Sequence, residues 1–188
     1  MKTTFYDIPL LTAPGRVFTP RATTERLVGE ALQRIDGVPM RIADVGTGSG
    51  AVAIALAVNR PQVEIWATDT STAAVELARE NARLHGVEDR VHVVEGDLLE
   101  PLAEPVDLVV ANLPYLSEQE RDPRYDNEPP EAVYAPGDGL DPYRRLLNAC
   151  REGKLETGGM LLIQFHRDAL AANCWELEDL REQLEASA

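Results

Sequence analysis

Apolar runs of four to six residues alternate along this chain with amphipathic stretches of helical period, and that alternation constrains the fold more than any other feature. Strands that are apolar without interruption need cover on both faces, and crossover helices between parallel neighbours supply it, so the pattern predicts a parallel α/β sheet. The spacing predicts a helix from Thr24 to Ile35, a strand from Met40 to Asp44 and a nearly all-apolar helix from Ser49 to Asn59. A strand from Val63 to Thr68, a helix from Thr72 to His85 and strands over Val91 to Glu95 and Val106 to Ala111 follow. The remainder reads as a helix from Tyr143 to Arg151, a turn at Gly158 and Gly159, a fifth strand from Met160 to Phe165 and a last helix from Leu170 to Leu184. The residues before the first helix read as irregular.

A length of 188 residues fits one domain, with an N-terminal segment and helix over 1–36 and an α/β core over 40–188. Between 117 and 142 lie Pro123, Pro129, Pro130, Pro136 and Pro142, which exclude long helices and central strands. A loop of that length in a compact domain reads as a lid over a site.

With 44% hydrophobic and 27% charged residues, fibrous and wholly disordered classes are excluded. The longest apolar run, AVAIALAV at 51–58, falls far short of a membrane span, and the first residues lack a signal peptide's apolar stretch, which points to the cytoplasm. Eighteen Lys and Arg against 32 Asp and Glu leave a net charge of −14, which disfavours a nucleic-acid partner. Cys150 and Cys174 form no CxxC pair, and His85, His92 and His166 lack metal-ligand spacing, so no metal is expected.

Residues 44–50 read DVGTGSG between a strand and a helix, where glycines allow a sharp turn and let backbone N–H groups approach a ligand. Asp44, Gly46, Thr47, Gly48, Ser49 and Gly50 are therefore candidate cofactor-binding residues. Asp69 ends the next strand, 19 residues after Gly50, where a carboxylate accepts hydrogen bonds from ribose hydroxyls. Gly46, Gly48 and Ala51 also satisfy the dinucleotide fingerprint, so this much fits a nicotinamide-dependent dehydrogenase equally well. Two further features favour a different cofactor. Asp97, just past the third strand, is placed to accept from an adenine amino group, and Asn112-Leu113-Pro114-Tyr115 leaves the fourth strand at the carboxyl end where open α/β sheets bind ligands.

The set DVGTGSG, Asp69, Asp97 and NLPY resembles the class I S-adenosylmethionine-dependent methyltransferases, whose fold is Rossmann-like, with a mostly parallel sheet flanked by helices. The flanks narrow the resemblance to the HemK/PrmC family, which methylates the glutamine amide in the Gly-Gly-Gln loop of peptide-chain release factors. Upstream, GRVFTPRATTERLV matches at Gly15, Pro20, Arg21, Thr24, Glu25, Leu27 and Val28; downstream, EPPEAVYAPGDGLDPYRRL matches at Glu128, Pro129, Ala132, Asp138, Gly139, Leu140, Tyr143 and Arg144.

The resemblance implies S-adenosyl-L-methionine as cofactor. Asp44 would orient the glycine loop near the methionine moiety, Asp69 the ribose, and Asp97 with the Leu98 main chain the adenine. Pro20, Arg21, Thr24 and Glu25 would shape the mouth. It further implies direct transfer to a flat nitrogen held by Asn112 Oδ1 and the Leu113 carbonyl, with Pro114 in the same catalytic motif, Tyr115 stacking on the acceptor and Asn112 counted among the cofactor-binding residues as well. A release factor is the implied partner; an adenine or guanine amino group of nucleic acid and a non-catalytic binding module are the alternatives.

Three departures stand out. Leu113 occupies the second position of NPPY; only 43 residues precede Asp44, against a full helical domain in bacterial members; and the 23 residues after Phe165 read as one helix where superfamily sheets finish with a β-hairpin. The sheet is thus expected to stop at its fifth strand, leaving an edge that pairing of two copies would cover, with truncation and a divergent paralogue as the alternatives.

Overall fold

The computed structural model describes residues 1–164. Five parallel strands form its central sheet: β3 (Met40–Val45), β4 (Val63–Asp69), β5 (Val91–Glu95), β6 (Val106–Ala111) and β9 (Leu155–Ile163), in the spatial order β5-β4-β3-β6-β9, while two short strands of the proline-rich segment, β7 (Leu116–Ser117) and β8 (Tyr134–Ala135), pair outside it. Strand order reverses at β3, so the crevice beyond the carboxyl ends of β3 and β6 is the place where such a sheet binds ligands.

The strands alternate between two buried faces, as strands covered on both sides must. Ile42, Leu108, Val110 and Leu162 pack under α1 (Ala22–Arg34), α2 (Ala51–Asn59) and α3 (Thr72–Leu84), whereas Ala43, Val109, Ala111, Leu161 and Ile163 meet α4 (Asp141–Ala149) and the Leu99–Leu102 segment. Leu27, Val28, Ala31, Leu32 and Ile35, the apolar face expected of the first helix, are all buried. α2 is buried on nearly every side from Ala51 to Ala57, which explains its uniformly apolar sequence.

Two expectations are corrected. The N-terminus is not irregular: β1 (Lys2–Phe5) and β2 (Ile8–Leu11) form an antiparallel hairpin. Its two-residue turn is Tyr6-Asp7, both at positive φ (50° and 62°), without the Asn-Gly or Asp-Gly pair that usually announces such a turn. Phe5, Ile8 and Leu10 are buried on the helical side of the sheet. Asn81 of α3 fastens the hairpin, its Oδ1 accepting the Leu11 N–H (2.8 Å) and its Nδ2 donating to the carbonyls of Leu11 (3.1 Å) and Ser49 (2.9 Å).

The second correction concerns the fifth strand of the sheet. β9 begins at Leu155, five residues before the expected start, and Gly158 and Gly159 sit inside it at a register shift against β6 rather than in a turn before it. The expected helix over Tyr143 to Arg151 starts earlier, at Asp141, and widens into one π-turn at Cys150–Lys154. Phe165, His166, Cys174 and the helix expected over 170–184 lie outside the described residues. No helix among those described is long and apolar enough to cross a membrane.

Candidate functional site

The turn after β3 is held from two sides. Gly46 and Thr47 donate their backbone N–H groups to the Thr68 carbonyl at the end of β4 (2.9 and 3.0 Å), and the Gly48 N–H reaches Asp69 Oδ2 (2.8 Å). Gly46 has φ +71°, a conformation L side chains rarely adopt, and a Cβ there would lie 2.7 Å from Leu113 Cδ2. Leu113 thus packs its side chain directly against the glycine turn.

Asp44 is buried beneath this turn, with Oδ2 accepting from the Thr47 hydroxyl (2.7 Å) and from the Ala53 N–H in the first turn of α2 (3.1 Å). Burial pushes its carboxyl up to about 6; the two hydrogen bonds oppose that rise and the Asp69 charge adds to it. Asp69 is raised as well, again chiefly by burial, against hydrogen bonds from the Ser71, Gly48 and Thr70 backbones. Two carboxylates held this way form an electronegative floor suited to a ligand with cationic and hydroxyl groups.

Leu98 has φ +48°, a strained backbone for a non-glycine residue and one that concentrates at functional sites. The Thr68 hydroxyl donates to its carbonyl (2.8 Å), which fixes the loop after β5 against β4. Asp97 beside it forms an ion pair with Arg145 of α4, a partner no sequence pattern announced.

At the end of β6, Asn112 Nδ2 donates to Thr24 Oγ1 of α1 (3.2 Å), which fixes the direction of its carboxamide. The Leu113 N–H donates to the Tyr143 hydroxyl (3.0 Å), and that hydroxyl's single proton lies between the carbonyls of Gln164 (2.7 Å) and Leu113 (2.9 Å). Burial holds the Tyr143 phenol well above its ordinary value, so the proton stays on. The Leu113 carbonyl keeps a second lone pair for an acceptor. Tyr115 follows, its phenol raised by burial and by a hydrogen bond with Tyr125.

The two sequence blocks that flank this machinery meet over it. Glu128, on the proline-rich segment, accepts the Thr19 N–H (3.0 Å) and pairs with Arg21 (3.5 Å), whose guanidinium also lies 4.5 Å from the Tyr125 ring centre. Asp138 is bound twice by Arg144 (2.9 and 2.7 Å). Gly139, at φ +86°, lies so close to the Tyr115 carbonyl that a Cβ would come within 2.2 Å of it. That close approach seats the NLPY exit on the loop before α4.

All of this encloses a cavity of about 430 Å³, within the range of small-molecule sites. Asp44, Gly46, Thr47, Gly48, Ser49, Asp69, Asp97, Leu98, Asn112, Leu113, Pro114 and Tyr115 line it, as do Pro20, Arg21 and Thr24. Two expected residues do not. Gly50 is turned into the start of α2 against Ala78, and Glu25 accepts the Tyr6 N–H of the hairpin turn (3.0 Å) instead of facing the mouth. Arg145 and Gln164 also line the cavity, and Tyr143 touches Leu113 behind it; sequence reasoning assigns none of the three a role in the site, and Gln164 reads only as part of the fifth strand over Met160 to Phe165. The proline-rich segment walls the cavity through Tyr125, Pro129 and Val133. Among the described residues no three His, Cys, Asp or Glu side chains gather as metal ligands, and burial raises the Cys150 thiol to about 12.

The pocket chemistry fits S-adenosyl-L-methionine: buried acceptors for hydroxyl and amino groups, and a Ser49 hydroxyl that is buried, faces the cavity and has no protein partner. The fold is that of the class I methyltransferases. The methyltransferase small domain model matches residues 22–127, and the chain belongs to that family, which uses S-adenosyl-L-methionine.

Among curated relatives it is 46% identical over 162 residues to the release factor glutamine methyltransferase of Xylella fastidiosa, covering 81% of this chain and 57% of that protein. The enzyme of the same name from Deinococcus radiodurans is 44% identical over 158 residues, with coverages of 82% and 56%. Among solved structures, a ribosomal protein L11 methylase from Lactobacillus delbrueckii subsp. bulgaricus superposes with a TM-score of 0.58 at 26% identity, over 80% of this chain and 63% of that one. The chain spans a little over half the length of the curated relatives it matches.

Proposed function

We propose that this chain transfers a methyl group from S-adenosyl-L-methionine to the side-chain amide nitrogen of a glutamine in a protein, a peptide-chain release factor. The observation that carries the reading is the shared cavity: Asn112 and Leu113, both held by hydrogen bonds at the end of β6, open into the same space as the glycine turn and Asp69. The names of the relatives support the glutamine acceptor, and the net charge of −14 disfavours the nucleic-acid alternative.

When bound, the cofactor offers a methyl carbon on positively charged sulfur, and the acceptor lone pair displaces the sulfur to leave S-adenosylhomocysteine. An amide nitrogen is a poor nucleophile because its lone pair is delocalised. Asn112 Oδ1 and the free lone pair of the Leu113 carbonyl accept its N–H groups, favour pyramidal nitrogen and offset the developing positive charge. Tyr115 lies flat against the acceptor, and the Arg21–Glu128 pair holds the proline-rich lid beside it. Positioning of this kind supplies about 7 to 11 kcal/mol in well-oriented systems. The proton leaves to water after transfer.

The test is incubation of the chain with methyl-labelled cofactor and, separately, a release factor, ribosomal RNA and DNA. Label on the release factor glutamine supports the reading. Label on RNA or DNA bases, or none on any of the three, contradicts it.

A further inference from the structure

Gln164 closes the carboxyl end of β9 directly beside the end of β6, and its main chain is pinned on both sides. Its N–H donates to the Ala111 carbonyl (2.9 Å) and its carbonyl accepts from Tyr143 (2.7 Å), the hydroxyl that also contacts Leu113. One phenolic oxygen therefore bridges Gln164 and the NLPY turn. Because Ala111 pairs with Ile163 in a parallel register, the next residues, Asn112 and Gln164, stand side by side, and both line the cavity.

Gln164 is 7% exposed, and its Oε1 is buried with no protein partner. A buried carbonyl left without a donor is unfavourable in the free protein unless a ligand offsets it. The rigid backbone gives this oxygen no easy route to another partner. Of the acceptors around the NLPY turn, the Leu113 carbonyl is already partly engaged by Tyr143, while Gln164 Oε1 is wholly unmet.

We propose that Gln164 is a second acceptor-binding carboxamide: Asn112 Oδ1 accepts one N–H of the flat NH2 group, and Gln164 Oε1 shares the other with the Leu113 carbonyl in a three-centre hydrogen bond. The assignment rests on the transfer reaction proposed above and adds a residue that selects for the acceptor, separate from those that hold the cofactor.

The experiment compares the full chain with its Gln164→Leu variant, saturated with S-adenosylhomocysteine, in calorimetric titration with a Gly-Gly-Gln peptide, alongside methyl-transfer kinetics. The expected result is at least about a tenfold loss of peptide affinity and of kcat/KM, as for a site deprived of one buried hydrogen bond. Affinity for S-adenosylhomocysteine stays within about twofold and the melting temperature of the ligand-free protein does not fall. Should leucine disturb folding, Gln164→Met, of equal length, reads the same loss. Equal peptide affinity in both proteins, nil included, overturns the role of Gln164, as does a parallel fall in melting temperature and cofactor affinity. A wild-type chain that methylates no acceptor contradicts the transfer reaction itself, a separate outcome.

Discussion

Leu113 donates its backbone N–H to the buried hydroxyl of Tyr143 at 3.0 Å, an interaction that proline at the same position would abolish. The leucine is therefore more than a tolerated change: its N–H is locked to α4 and its side chain covers Gly46. Tyr143→Phe removes the hydroxyl and leaves that N–H and the Gln164 carbonyl unpaired. The expected cost is about 1 to 3 kcal/mol, measured as a lower urea midpoint, with kcat reduced further than affinity for S-adenosylhomocysteine.

Gly46→Ala meets two obstacles. Its φ of +71° strains any L residue, and the new methyl group would fall 2.7 Å from Leu113 Cδ2. Adding Leu113→Ala relieves the clash and leaves the strain. Titration with S-adenosylhomocysteine is expected to show at least about a tenfold loss for Gly46→Ala, recovered only in part by the double variant.

Asp44 makes the ligand-free fold pH-dependent. Its carboxyl stands at about 6 in the native state against an ordinary value of 3.8. Between those values the native chain holds a proton that the unfolded chain has lost. The stability this group contributes is complete below the lower value and is lost as pH rises through the higher one, an effect of about 3 kcal/mol. Asp44→Asn removes that window, so its unfolding free energy should gain on the wild type by a comparable amount between acid and neutral pH.

A cationic ligand seated over Asp44 lowers its carboxyl again. Binding of S-adenosyl-L-methionine near pH 6 is therefore expected to release protons, visible as a binding heat that varies with the ionisation heat of the buffer. Asp44→Asn should abolish the buffer dependence.

The order and kind of the sheet elements were legible because doubly covered strands have to be almost wholly apolar, as LVVA at 108–111 is, while the longer apolar run AVAIALAV at 51–58 reads as a buried helix. The hairpin escaped because Tyr6-Asp7 makes its turn without a glycine, and β9 was shortened because Gly158 and Gly159 look like a turn when they serve a register shift. In the site, the glycine loop and the strand-end residues Asp69 and Asn112 could be placed by their spacing from one another. Tyr143, Arg145 and Gln164 could not, since each is tied to the site by a contact between elements distant in sequence: Leu113 with Tyr143, Asp97 with Arg145, Ala111 with Gln164. Glu25 had the right spacing and the wrong neighbour, because the hairpin turn that claims it was not foreseen.

The central claim is that Asn112, although it lines the shared cavity, serves the acceptor more than the cofactor. Single-turnover methyl transfer by Asn112→Ala, measured beside its affinity for S-adenosylhomocysteine, tests it most directly. The account predicts a rate lowered by about 100-fold or more with affinity within twofold of the wild type. An unchanged rate, or a loss of affinity as large as the loss of rate, contradicts it.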